Sequence, residues 1–309
     1  MRVETQAHLA ANEVSKYIID YPAFHDLRAR MDGMITSLDP KGMLVVGDTR
    51  VGKTTLARSL LDTHPKTFVD GTPSVPVLYI EIPTIPTEKS IARALMLQLD
   101  VTTGRTLSEQ ELIARFSKIA EYCRIKLVII DEFHHFTESS HYPKLLRYAN
   151  SVKSLMNQSG VSVVLMGLPN SRAILDKNQQ LRGRFSSVQH IGAFAMEETD
   201  QFNDFLDVLR ALADKLPFEN AAEIADHLYG PRMWYATHGA LGYVKKLLIE
   251  AIEMSGASKN KQLSMNLMEK AFTAAIWHDG IGKLNPFNRS FSHNLLDEVG
   301  QPFCPDMAF

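Results

Sequence analysis

The segment GDTRVGKTTLARSL, Gly47 to Leu60, follows the apolar run MLVV and leads into a helical pattern. Gly47-Asp48-Thr49-Arg50-Val51-Gly52-Lys53-Thr54 fills G-x-x-x-x-G-K-[ST] at every position, with Thr55 next. Such a loop works only where a strand ends and a helix begins, because successive backbone N–H groups must converge on phosphates while the positive end of the helix points the same way. It therefore fixes an α/β sheet early in the chain. In that setting Lys53 reaches the β- and γ-phosphates and Thr54 offers its hydroxyl to Mg²⁺.

Hydrophobic patterning extends the sheet. Short apolar runs at 43–47 (MLVVG), 75–82 (VPVLYIEI), 126–131 (KLVIID), 161–167 (VSVVLMG) and 187–191 (SVQHI) alternate with longer amphipathic stretches. Five such strands predict a mostly parallel sheet covered on both faces. From 196 to about 277 the apolar residues recur at three and four with no strand-like run, which predicts a small α-helical second domain. Within it, Gly230 and Gly256 have the position of helix stop signals. Residues 1–40 carry helical spacing interrupted at Tyr21-Pro22, where proline should break the first helix. The expected organisation is an N-terminal helical arm 1–40, a nucleotide-binding α/β domain 41–195, a helical lid 196–280 and an extended C-terminal tail 281–309.

The strand KLVIID delivers Asp131 to its C-terminal end, where a carboxylate can hold Mg²⁺, with Glu132 beside it to orient the attacking water. His134, His135 and His141 in and after DEFHHF match no recognised ligand spacing, so zinc is not expected there; His134 and His135 are expected to pack or hydrogen-bond near Glu132. After the fourth strand, Asn170 is the nearest amide able to sense a γ-phosphate, although Pro169-Asn170-Ser171 also suits a helix start. Arg182 and Arg184, in LRGRF, are candidates for a guanidinium supplied to a neighbouring subunit's phosphoryl group.

Composition narrows the setting. The formal charge of −2 gives no global basic signature, so any nucleic-acid surface must be a local patch. Two cysteines, Cys123 and Cys304, are poor material for a disulfide framework and fit a reducing cytoplasm with both thiols free. No apolar stretch approaches a membrane span and the N-terminus lacks a signal-peptide core, so a cytoplasmic protein is expected.

The ordered set of Walker A loop, Asp131-Glu132, sensor position, arginine pair and helical lid resembles an AAA+ ATPase. Within that superfamily, the segments YPAFHDLRARMDGMITSLDPKGMLVVGDTRVGKTTL, IIDEFHHF, LMGLPNSRAIL with QLRGRF, and NPF at 285–287 resemble the TniB/TnsC-type transposition regulators, including those of CRISPR-associated transposons. The resemblance implies an ATP- and Mg²⁺-dependent ATPase, whose hydrolysis should be slow given two departures, at Gly242 and Leu168. Such a protein assembles as a ring or helical filament on double-stranded DNA without sequence preference, and links a TniQ-type target selector to a DDE transposase. Lys53 and Thr54 would bind nucleotide and metal, Asp131 Mg²⁺, Glu132 would drive hydrolysis, and Arg182 or Arg184 would be the finger. Two positions depart from the wider superfamily: GALG puts Gly242 where relatives carry a lid arginine, and Leu168 stands where a small hydroxyl residue could sense phosphate.

In ring ATPases the interval between the second strand and the Walker B strand commonly faces the pore; here it carries Lys89, Arg93, Arg105, Arg115 and Lys118. Lys89 and Arg105 with Thr106 are the expected phosphate contacts, which would carry no sequence information. Phe287, Phe291, Phe303 and Phe309 leave the tail either disordered or a docking segment with aromatic anchors. Alternative readings are an AAA+ ATPase of another system, a secretion ATPase or helicase loader, and a nucleotide-dependent scaffold with little hydrolysis.

Overall fold

A computed structural model describes residues 6–87, 89–104, 106–138, 142–176, 178–185, 187–258 and 261–305. The chain forms two compact units, one of Met1–Tyr21 with Gly192–Phe309 and the other Pro22–Ile191. The first helix, α1 (Gln6–Lys16), belongs to the former.

The Pro22–Ile191 unit opens with α2 (Pro22–Ile35), whose proline sits at the first helical position, where its missing N–H costs nothing. There follow β1 (Gly42–Val46), α3 (Lys53–Thr63), a hairpin of β2 (Thr67–Val69) and β3 (Thr72–Ser74), then β4 (Val77–Glu81), α4 (Ser90–Gln98) and α5 (Glu109–Tyr122). Next come β5 (Leu127–Asp131), α6 (His134–Glu138), α7 (Tyr142–Ser159), β6 (Ser162–Gly167) and a 3₁₀ turn (Pro169–Arg172). The short α8 (Ala173–Asp176) and α9 (Gln179–Arg184) lead into β7 (Ser187–His190).

The sheet order is β4-β5-β6-β1-β7, with every pairing parallel. The five expected strands are the five of this sheet. Their central members are buried at every position and, apart from Ser162 and Asp131, carry no polar side chain, as helices on both faces require. The core runs from Leu44, Val128 and Val163 in the sheet to Leu95 on α4, Phe116 on α5 and Val152 on α7. Serine and glutamate set the start of α5: Ser108 Oγ accepts the Glu111 N–H while a Glu111 carboxylate oxygen accepts the Ser108 N–H.

The other unit is helical. It holds α10 (Thr199–Ala213), a 3₁₀ turn (Ala221–Ala225), α11 (Tyr229–Thr237), α12 (Leu241–Ser258), α13 (Met265–Ala275) and a last 3₁₀ turn (Gly282–Leu284). Around Phe205, Met233, Leu248 and Phe272 it has its own core. The expected arm 1–40 is shared out: α1 packs on α12, and α2 packs on α3 in the other unit.

Neither glycine read as a stop signal ends a helix. Gly230-Pro231 opens α11, where proline is tolerated, and a Cβ at Gly230 would meet Leu206 at 2.6 Å. Gly256 lies inside α12, where a Cβ would come within 2.4 Å of the Ala7 Cβ, so close helix approach is what keeps a glycine there. Lys245 on α12 donates to the Ser15 and Tyr17 carbonyls at the C-terminal end of α1, the end where a cation is favoured.

Nor is the C-terminal segment extended away from the fold as far as Pro305. Asn285 is fully buried; its Nδ2 donates to the Glu269 and Gly280 carbonyls at 3.0 and 2.8 Å, and its Oδ1 accepts the Phe287 N–H. Arg232 donates to the Pro286 and Asn288 carbonyls. Phe287, Phe291 and Leu296 are buried, and Phe303 stacks on His238 at 5.4 Å. Phe309 lies outside the described residues. Cys123 is buried and Cys304 half-buried, both free thiols. Among the described residues no helix is long and apolar enough to cross a membrane.

Candidate nucleotide site

The loop from Gly47 to Gly52 joins the end of β1 to the start of α3, at the C-terminal edge of the sheet. Its backbone is anchored on both sides: Gly47 N donates to Gly167 O at 3.1 Å, and Ile191 N donates to Val46 O at 3.0 Å. A Cβ at Gly47 would lie 2.0 Å from the Ile191 carbonyl, so the first glycine is required by packing. Gly52, at φ 108°, turns the chain into α3 in a left-handed conformation suited to glycine. Arg50 also has positive φ, at 63°. Asp48, Thr49 and Arg50 form the exposed rim, while Val51 is buried beneath it and Thr55 is half-buried in the first turn of α3.

No side chain caps α3, so its first N–H groups face the loop; this is the arrangement an anion needs at a helix start. Lys53 is buried, with its ammonium donating to the Gly47 and Asp48 carbonyls, each at 2.7 Å. Burial lowers its pKa, opposed by the charges of Asp131, Glu132 and Asp48. A phosphate in the loop would satisfy that buried cation.

Asp131, at the end of β5, is 1% exposed. Its Oδ2 accepts the Thr54 hydroxyl at 2.8 Å and the Tyr79 hydroxyl at 3.0 Å, and its Oδ1 accepts the Glu132 N–H at 2.8 Å. Burial, reinforced by Asp131, holds the Tyr79 phenol well above its ordinary range. A hydroxyl and a carboxylate in direct contact beside the phosphate loop make a hard oxygen donor set, which suits Mg²⁺. Sequence reasoning missed Tyr79, although its strand was recognised.

Glu132 has φ 57°, a left-handed conformation that costs a non-glycine residue about 1 kcal/mol or more. The turn is held by its own N–H on Asp131 and by Phe133 N on Met166 O at 2.8 Å. Its carboxylate lies 3.3 Å from Nδ1 of His134, and His135 Nδ1 sits 3.0 Å from the Ile82 carbonyl. His141 lies outside the described residues.

Asn170 is exposed on the 3₁₀ turn after β6, and the next residue, Ser171, is fully buried with its hydroxyl aimed at Gly167. Arg182 donates to the Leu175 and Asp176 carbonyls at 3.2 and 2.7 Å, closing the end of α8, whereas Arg184 is exposed at the end of α9. Lys89 donates to the Leu107 carbonyl at 2.7 Å, which brings it beside exposed Thr106; Arg105 lies outside the described residues.

A five-stranded parallel sheet with the phosphate loop on a strand flanked by β6 and β7, followed by a helical unit, defines the P-loop ATPase fold of the AAA+ class. The chain belongs to the bacterial TniB protein family, whose profile matches residues 11–192. Among solved structures it resembles the ADP form of the Aeropyrum pernix ORC2 protein, at 15% identity over 90% of this chain and 75% of that one, with a TM-score of 0.63. The Aeropyrum pernix ORC1 protein in complex with DNA gives 0.63 at 15% identity, over 89% and 71%. Cdc6p from Pyrobaculum aerophilum gives 0.60 at 13% identity, over 85% and 71%. At these identities the likeness is one of fold. A sequence search of curated proteins returns no match.

Proposed function

We propose that this protein is an ATP-binding, Mg²⁺-dependent ATPase that regulates DNA transposition, assembling on double-stranded DNA and linking a TniQ-type target selector to a DDE transposase. The observation that carries the nucleotide part is the 2.8 Å hydrogen bond from Thr54 to Asp131, which joins the two motifs beside the buried Lys53 ammonium. Membership of the TniB family supports the transposition part. Lys53 and the amides of Gly52 to Thr55 would hold the phosphates, and Thr54 with Asp131 would hold Mg²⁺, which supplies charge neutralisation across the phosphates. Glu132 would take the proton of the attacking water.

Arg184 is the better of the two finger candidates, because Arg182 already spends its guanidinium on its own chain's carbonyls. Lys89 and Thr106, with Arg105, are the proposed contacts to DNA phosphates. Gly242 in α12 leaves that position without a lid arginine, in keeping with slow turnover suited to a switch.

Phosphate release and assembly on duplex DNA test the reading together. Lys53→Ala should lose nucleotide retention and DNA-dependent assembly. Glu132→Gln should keep both while turnover falls by about 10²-fold or more. Wild-type protein that retains no adenine nucleotide, or stays monomeric on duplex at saturating ATP, would overturn it.

A further inference from the structure

Glu132, His134 and His135 each bring one ligand atom into a group whose members all lie within 4.8 Å of one another. It is the one such group of three or more among the described residues. Spacing in sequence gives no hint of it, because neighbouring residues on a regular helix diverge. Here the left-handed turn at Glu132 swings the chain between strand and helix, and the two imidazole rings end with centroids 4.4 Å apart.

Two details match what a transition-metal ion requires. Ligand bonds of 2.0–2.1 Å place neighbouring donors of a tetrahedral zinc centre about 3.3 Å apart; His134 Nδ1 and Glu132 Oε2 are 3.3 Å apart. The Ile82 carbonyl can only accept, so His135 Nδ1 carries the proton in their 3.0 Å contact and Nε2 carries the lone pair. A backbone carbonyl fixing the tautomer of a ligating imidazole is the usual outer support of such sites. His134 is buried and Glu132 and His135 are half-buried, so the ion would sit at the edge of the fold with its fourth position open to water.

We propose that Glu132, His134 and His135 bind one divalent transition-metal ion of the zinc class, and that the bound ion withdraws the Glu132 carboxylate from water activation. Two nitrogens and one oxygen select zinc, cobalt, nickel or copper over Mg²⁺, which favours the all-oxygen pair Thr54 and Asp131. The two sites are chemically distinct although adjacent in sequence. Metal occupancy thereby sets a ceiling on hydrolysis without competing for the phosphate loop. This regulatory half depends on the hydrolytic reading above; the binding half does not.

The test uses the full chain and two probes. Co²⁺ added without nucleotide should give one tight equivalent with the visible absorption of a low-coordinate cobalt centre. That signal should persist in Lys53→Ala and vanish in the His134→Ala/His135→Ala variant. His135→Gln, altering only the more exposed imidazole, should weaken cobalt binding at least tenfold and guards against a folding defect in the double variant. Zn²⁺ titrated into the Mg²⁺-ATP reaction should lower wild-type turnover at least tenfold, reversed by a zinc-selective chelator, while each histidine variant keeps its own zinc-free rate.

Absence of a stoichiometric cobalt signal, or its survival in the double variant, overturns the site. Cobalt binding with hydrolysis indifferent to zinc overturns the regulatory half. If no condition yields phosphate release, the hydrolytic reading fails and the cobalt signal still decides the site.

Discussion

Tyr21 shows how much one buried polar group can report. The residue is 6% exposed, its ring centroid lies 5.0 Å from that of Phe194, and burial pushes its phenol from 10.0 up to about 12. The native state therefore favours the protonated phenol. That contribution is complete below pH 10 and is lost as pH rises towards 12. The difference in stability between wild type and Tyr21→Phe should consequently shift in favour of the variant across this window, by about 2 to 3 kcal/mol at its end. Denaturant titrations at pH 9 and pH 11.5 check it; a pH-independent difference would show that the phenol is hydrated. At this same scale the phosphate loop was legible in the sequence, because each residue's role there follows from backbone geometry. Tyr79 was not, since what makes it part of the site is the pairing of β4 with β5, which local spacing does not encode; the histidines were expected near Glu132, and His134 lies there, 3.3 Å from its carboxylate.

Elements add constraints that residues alone do not show. α9 begins with an Asn178 cap whose side chain accepts the Leu181 N–H at 2.9 Å and ends with Arg184. One helix thus carries both arginines, Arg182 bonded to carbonyls of its own chain and Arg184 exposed and proposed as the finger. Arg184→Ala should lower turnover about 10³-fold with nucleotide binding intact. Arg182→Ala should instead cost about 1 kcal/mol of stability, read in a melting curve, as two carbonyls lose their donor. Mixing Arg184→Ala chains with Glu132→Gln chains, which keep nucleotide and assembly, should restore turnover, since the first supplies the site and the second the finger; no recovery would place the guanidinium in the same chain as the site it serves. Helix boundaries were the weakest part of the sequence reading. Gly230 and Gly256 resemble stop signals, yet tertiary contacts with Leu206 and Ala7 decide their place. The β2–β3 hairpin went unrecognised despite its Asp70-Gly71 turn, both residues at positive φ, because three-residue strands carry too little alternation to register.

At the scale of the whole chain, the α/β unit was legible and the membership of its partner was not. Parallel strands announce themselves as apolar runs, but nothing in residues 6–16 says that their helix packs on α12. Val14 is wholly buried, Ala11, Ile19 and Tyr21 nearly so, and Glu13 pairs with Lys215 at 3.2 Å. Removing residues 1–21 should strip this cover at about 25 cal/mol for each Å² of apolar surface exposed, a loss of several kcal/mol. Hydrogen exchange should then quicken in α12 and leave β1 and β5 unchanged. Equal quickening in both units would mean that the chain unfolds as one block.

The C-terminal stretch has the same lesson: buried Asn285 and Phe287 make residues 285–291 part of the helical core, a role their irregular composition conceals.

The union of α1 with α12 also orders events on the ribosome. Roughly 220 residues separate the two helices, so at 5–20 residues per second α1 leaves the exit tunnel ten seconds or more before its partner exists. The nascent chain must carry that amphipathic helix uncovered while the whole phosphate-binding unit is synthesised behind it. The helical unit would close only after α12 has emerged.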